Sequence, residues 1–129
     1  MGRIVFTEEG LKRKTLLEPG WYLLEITEVA ESEAKDKSTN YVIDFKVVDD
    51  NPNFNGVPIR VWLNEKFPEY WASFPEAFLD GQKVVAGKAY EITRDLIGKQ
   101  LLGNVTRGEY NKKPTNQIDD YAPKGAPLR

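Results

Sequence analysis

Apolar residues alternate with polar ones in three early segments of the chain, and no other sequence feature constrains the fold as much. A period of two is typical of β-strands that bury one face and expose the other. We therefore predict strands over 20–30, 41–50 and 57–64. Their predicted inward residues are Tyr22, Leu24 and Ile26 in the first, Tyr41, Ile43, Phe45 and Val47 in the second, and Val57, Ile59, Val61 and Leu63 in the third.

The spacing changes after the third strand, where aromatic residues recur at every third or fourth position, as is typical of a helix. We expect this helix to begin near Pro68, since proline suits a first helical turn. Pro75 disfavours one continuous helix, so we expect a restart at Ser73, which forms a capping-box pattern with Glu76. Gly81 is the expected end. Three aromatic residues of this segment are assigned to the core: Trp71, Phe74 and Phe78.

The residues from 100 to 121 predict a strand, a tight turn and a second strand. Three strands, a helical insertion and a hairpin predict a mainly β fold, a five-stranded Greek-key OB-fold barrel with the helical insertion between strands three and four. An open β-sandwich and an SH3-like barrel are the structural alternatives. The 129 residues suit one domain. We predict an N-terminal arm over 1–17, the OB-fold domain over 18–123 and a flexible C-terminal tail over 124–129.

The chain contains neither cysteine nor histidine. Disulfides, thiolate metal sites and Ser-His or Cys-His catalytic pairs are therefore excluded. The asparagine-rich stretch 51–56 has the spacing of a calcium loop, but Asn51 and Trp62 stand where such a loop requires its first aspartate and its last glutamate. We accordingly predict a protein that is not an enzyme and that has no cofactor and no metal.

The formal net charge of −2 gives no overall attraction to nucleic acid, although it allows a local basic groove. The basic cluster LKRK, residues 11–14, is interpreted as a solvated turn or, alternatively, as a flexible arm that touches a polyanion. No apolar run approaches the length of a membrane span, and the first residues lack the pattern of a secretion signal. We therefore expect a soluble, intracellular protein without a membrane partner.

Aromatic and basic residues occupy the strand positions opposite the predicted core. Aromatic planes stack on unpaired bases, and lysine or arginine side chains follow phosphates, which is the chemistry of a groove for single-stranded nucleic acid. In an OB barrel this groove lies on the outer face of strands two and three, beside neighbouring loops. The candidate binding residues are Trp21, Lys46, Arg60 and Trp62 on the strands, and Arg107, Tyr110, Lys112 and Lys113 near the hairpin tip.

Several of these candidates also have a purely structural interpretation. Trp62 could pack under the charged connector 30–40, and Trp21 could lie under the N-terminal arm. Arg60 could pair across strands with Asp44. Their joint placement on one predicted surface favours the binding interpretation.

Residues 97–123 resemble the C-terminal part of a family of small phage and prophage proteins that are regarded as OB-fold single-stranded DNA-binding proteins. The pattern that carries the resemblance is Gly98-Lys99, an alternating strand to Val105, Glu109-Tyr110-Asn111-Lys112, Asn116, Ile118 and Tyr121-Ala122-Pro123. The first two predicted strands are similar as well, so the likeness covers most of residues 18–123. One departure is the basic C-terminal stretch PKGAPLR, since many single-stranded DNA-binding proteins end in an acidic tail that recruits partners.

The resemblance implies a non-catalytic, sequence-tolerant single-stranded DNA-binding protein of phage DNA replication or recombination, located in the cytoplasm of the bacterial host. Its partners would be single-stranded DNA and replication or recombination proteins of the phage or the host. The alternative function is an OB-fold protein-interaction module in such a complex, with the same aromatic surface buried against a protein. Whether the chain forms a homo-oligomer stays open.

Overall fold

Five β-strands form one antiparallel sheet in this computed structural model, which describes residues 2–79 and 82–126. The strands are β1 (Gly20–Glu33), β2 (Thr39–Val48), β3 (Pro58–Asn64), β4 (Gln100–Tyr110) and β5 (Lys113–Pro123). Their order across the sheet is β3-β2-β1-β4-β5. The predicted mainly β fold is confirmed, but the OB-fold barrel is not, because the sheet stays open between β3 and β5. Residues 127–129 of the predicted tail lie outside the described residues.

The alternation in the sequence decides which face of each strand is buried. The buried apolar strand residues are Leu24, Ile26, Val29, Ile43, Phe45, Val47, Ile59, Leu63, Leu101, Val105 and Tyr121. The predicted inward residues that are only partly buried nevertheless pack against this core: Tyr22, Tyr41 and Val61. In β1 the register shifts between Ile26 and Glu28, and the strand then buries Val29. A bulge of this kind breaks the period of two at one point and restores it beyond.

The N-terminal segment folds back against the sheet. It contains the short helix α1 (Glu8–Lys12). Beyond this helix, the side-chain amide of Asn116 in β5 donates to the Thr15 carbonyl at 2.8 Å and accepts from the Leu17 N–H at 2.9 Å. The Leu17 side chain is fully buried. The last residues of the predicted arm are therefore held in place by both hydrogen bonds and burial.

The predicted helix after β3 is present as two short pieces. A 3-10 helix covers Pro68–Trp71, and the helix α2 covers Ser73–Glu76, so a helix does begin at Ser73. The predicted capping box is wrong, because no side chain among the described residues caps α2 and the Ser73 Oγ atom accepts a hydrogen bond from the Tyr121 backbone N–H at 3.2 Å. Pro75 has no N–H to donate within a longer helix, which is one reason that the helical pieces stay short.

Helix α2 packs against β5 and completes the core there. Phe74 is fully buried, and its ring centroid lies 5.2 Å from that of Tyr121 and 5.4 Å from that of Phe78. Trp71 and Phe78 are partly buried against the same core. The predicted helix end at Gly81 lies outside the described residues. No helix in residues 2–79 and 82–126 is long and apolar enough to cross a membrane.

We expect the hydroxyl group of Tyr121, a residue that is only 7% exposed, to lower the stability of the protein at alkaline pH. Burial raises the pKa of Tyr121 well above the value of about 10 that it has in an unfolded chain. As pH rises past 10, the unfolded chain loses this proton first, so the stabilising contribution is intact below about pH 10 and is lost above it. At about pH 11 the loss amounts to roughly 1 kcal/mol of unfolding free energy.

The variant Tyr121→Phe lacks the titrating hydroxyl, so it should not show this loss. Urea unfolding of both proteins at about pH 9 and about pH 11 measures the difference between them, in which the titration of all other groups cancels. The wild-type protein is expected to lose about 1 kcal/mol more than the variant. A parallel loss in the two proteins would contradict the prediction.

Candidate nucleic-acid interface

The two edge strands of the sheet, β3 and β5, approach each other without pairing, and some of their Cα atoms lie within 8 Å. A groove of about 660 Å³ runs along this seam, and we call it the seam groove. Its lining residues come from β3 and from the β4–β5 hairpin: Arg60, Val61, Trp62, Glu109, Tyr110 and residues 115–118. The site is therefore made by strands that lie far apart in the sheet order.

Trp62 stands on the outer face of β3, because the alternation turns Val61 and Leu63 toward the core. It lies opposite Val42 of β2 and is 60% exposed, so the connector 30–40 does not cover it. Tyr110, at the end of β4, is 71% exposed. The seam groove thus has two accessible aromatic rings, one from β3 and one from the hairpin.

A two-residue turn brings Tyr110 to the groove. Asn111 and Lys112 have positive φ angles of 50° and 65°, as in the mirror-image turns that join tightly paired antiparallel strands. Asparagine adopts this conformation more readily than lysine does. The turn pairs Tyr110 directly with Lys113 across the two strands, so the aromatic ring and the ammonium group project side by side from the same face of the hairpin.

Arg60 is bound to a carboxylate of the neighbouring strand. Its Nε and one terminal nitrogen donate to the two Asp44 carboxylate oxygens at 2.6 and 3.0 Å, and this hydrogen bonding raises the pKa of Arg60. The cross-strand pairing considered for Arg60 is therefore confirmed. Its side chain remains 57% exposed and still lines the groove.

A second groove of about 640 Å³ continues from the first one past Tyr110. The two grooves share Arg60, Tyr110, Thr115 and Asn116. Residues 13–16 form part of the wall of the second groove, because Asn116 holds the backbone of Thr15 there. The exposed residues Lys14 and Lys113 both line it, and we call it the basic groove.

Four of the eight predicted binding residues line these grooves: Arg60, Trp62, Tyr110 and Lys113. Trp21 and Lys46 do not. Trp21 is partly buried on the central strand β1, opposite Asn104 of β4. Lys46 lies on β2 and pairs with Glu25 of β1 at 3.3 Å. Since β1 is the central strand of the sheet, the structure places Trp21 away from the seam.

The other two predicted residues lie on the hairpin but outside the groove walls. Arg107 donates to the Leu17 carbonyl at 3.5 Å, with the Glu18 carboxylate 3.9 Å away. These contacts connect Arg107 to the N-terminal segment. Lys112 occupies the turn itself. Neither residue is among those that line the seam groove or the basic groove.

Sequence reasoning missed the wall that β5 contributes, residues 115–118. The Gln117 side chain lies over Gly108 of β4, where a Cβ atom would come within 2.0 Å of it. Glycine at this position therefore makes room for one lining residue, and a glycine in the predicted hairpin was the sequence signal that could have indicated it.

Sequence reasoning also missed Lys14 as a groove residue. The basic cluster 11–14 stands out in the sequence, but nothing local links it to Asn116.

Comparison with known proteins does not assign the chain to a family. No protein-family model matches it, and no curated protein matches its sequence. The function is therefore inferred from the geometry of the two grooves and from the residues that line them.

Proposed function

We propose that the protein is a non-catalytic, sequence-tolerant single-stranded DNA-binding protein and that it binds DNA in the seam groove and the basic groove. The observation that carries the proposal is the exposure of Trp62 at a groove. A tryptophan that is 60% exposed on an edge strand contributes little to the core and offers a stacking plane to a ligand. Tyr110 offers a second plane in the same groove.

The chemistry of the two grooves is complementary. Stacking of an unpaired base on an aromatic side chain contributes about 1–3 kcal/mol and tolerates any base, because every base has a π-face. Phosphates would follow Lys14 and Lys113 along the basic groove. Binding by base stacking and phosphate contacts needs neither a catalytic group nor a cofactor.

The strand arrangement supports an OB-type interpretation of the site. The OB fold is a partly open five-stranded Greek-key barrel, and an opening between β3 and β5 suits that description. Oligonucleotides bind such barrels on the outer face of strands two and three and at the loop between strands four and five. Trp62 belongs to the third strand and residues 111–112 join the fourth strand to the fifth, so both correspond to these positions in chain order. The phage or prophage setting, in DNA replication or recombination in the bacterial cytoplasm, comes from the resemblance that covers most of residues 18–123.

Fluorescence anisotropy with labelled oligo-dT tests the proposal. We expect binding at micromolar protein in low salt. Two phosphate contacts give a slope of about −1.4 for log Kobs against log[salt], so affinity should fall roughly sevenfold between 50 and 200 mM salt. A duplex of the same length serves as the control and is expected to bind more weakly, because its bases are not free to stack.

Two results would contradict the proposal. One is the absence of oligo-dT binding at micromolar protein in low salt, which would favour the protein-interaction module instead. The other is equal affinity for single-stranded and duplex DNA, which would mean that the aromatic rings do not contact unpaired bases.

A further inference from the structure

Arg60 is poorly suited to a simple phosphate contact, because its charge is already balanced by Asp44. Two of its nitrogen atoms donate to the two carboxylate oxygens, at 2.6 and 3.0 Å. Bidentate pairs of this kind are among the stronger side-chain hydrogen bonds. A phosphate that approached Arg60 would also approach the Asp44 carboxylate, and the two anions would repel each other.

The guanidinium group of Arg60 still offers a planar face. Such planes stack on nucleic-acid bases, and the Arg60 side chain is 57% exposed. Arg60 and Trp62 stand two residues apart on the outer face of β3. Because a strand rises about 3.3 Å per residue, their attachment points are about 6.6 Å apart, which is roughly twice the 3.4 Å spacing of stacked bases. Two parallel side-chain planes at this spacing would accept one base between them.

We propose that one unpaired base of the DNA inserts between the Arg60 guanidinium and the Trp62 indole. In this arrangement Asp44 is a positioning residue that holds the guanidinium in place. The inference rests on the proposed function. It adds that Arg60 contacts the base of a nucleotide and not its phosphate. The phosphates are left to Lys14 and Lys113, which line the basic groove.

Variants of Arg60 and two DNA probes separate a base contact from a phosphate contact. The probes are oligo-dT and an abasic oligonucleotide of the same length, which keeps the phosphates and lacks the bases. Arg60→Ala is expected to weaken oligo-dT binding about fivefold or more and to leave abasic binding and the salt slope unchanged. Arg60→Lys is expected to behave like Arg60→Ala, because lysine keeps the charge but not the plane.

Asp44→Ala tests the positioning role, because loss of positioning and loss of a negative charge predict opposite changes in DNA affinity. The variant removes a negative charge beside the groove, so charge alone predicts tighter DNA binding. Loss of positioning predicts weaker oligo-dT binding, by about twofold or more, because the freed guanidinium must be ordered again on binding. The affinity of the Asp44→Ala variant for the abasic oligonucleotide is expected to show no loss.

Lys113→Ala is the matched control for a phosphate contact. It is expected to weaken binding of both probes and to reduce the magnitude of the salt slope by about 0.7. Thermal unfolding of every variant checks that the fold is retained. All substituted positions are at least partly exposed.

The inference is overturned by any of three results. Arg60→Lys could retain wild-type affinity for oligo-dT, Arg60→Ala could weaken the binding of both probes by the same factor, or Asp44→Ala could tighten oligo-dT binding. A wild-type protein that binds no oligo-dT is a different result, and it would overturn the proposed function itself.

Discussion

Replacing Trp62 with alanine is expected to weaken oligo-dT binding by about 5- to 150-fold, which corresponds to the 1–3 kcal/mol of one stacked base. The indole is 60% exposed and lines the seam groove, so its removal takes away a stacking plane and little core contact. Stability should therefore change much less than affinity. Fluorescence anisotropy with oligo-dT and a urea unfolding curve measure the two quantities.

Trp21→Ala is the matched control, since it also removes one indole. Trp21 lies on the central strand β1 and lines neither groove, so oligo-dT affinity should stay within about twofold of wild type. Two results would disprove the assigned role: an unchanged affinity in a folded Trp62→Ala protein, or an equal loss in both variants. The second result would indicate a loss through stability and not through stacking.

Replacing Phe74 with alanine is expected to lower the free energy of unfolding by about 3–5 kcal/mol. Its side chain is fully buried, and three other aromatic rings surround it, with centroids 5.2 to 6.2 Å away: Phe45, Phe78 and Tyr121. The cavity left by the ring removes contacts from both α2 and the sheet. Small domains are stable by only about 5–15 kcal/mol, so this variant should unfold at far lower urea concentrations.

Phe67→Ala removes the same side chain from a site that is 55% exposed. We expect it to change the free energy of unfolding by no more than about 0.5 kcal/mol, because exposed positions lose few contacts. A loss below about 1 kcal/mol for Phe74→Ala would mean that α2 is not part of the core. Equal losses for the two variants would contradict the difference in burial between Phe74 and Phe67.

The strand faces can be predicted because the side-chain period of a strand is a local property. Ile43, Phe45 and Val47 are buried as the alternation requires, and Trp62 leaves the core for the same reason. The helical insertion is less predictable. Ser73 has the sequence pattern of a capping box, yet it accepts a hydrogen bond from Tyr121, which is 48 positions away. A distant backbone donor therefore displaces the local one.

The candidate site shows the same division. Trp21 and Trp62 have the same local signal, an aromatic residue on the outward phase of a strand, but only Trp62 lies at the seam groove. Strand order decides this difference, because β3 is an edge strand and β1 is the central one. Alternation within each strand thus determines which side chains face away from the core, and it does so without reference to any other strand.

The tertiary structure alone decides which of those side chains meet. Asp44 binds Arg60 from 16 positions away, and Asn116 holds Thr15 across 101 positions. The first contact balances the charge of Arg60, and the second brings Lys14 to the basic groove. Neither follows from a local pattern, because each depends on the pairing of strands and the path of the chain between them. The exposed aromatic residues are thus a property of the sequence, and the two grooves are a property of the fold.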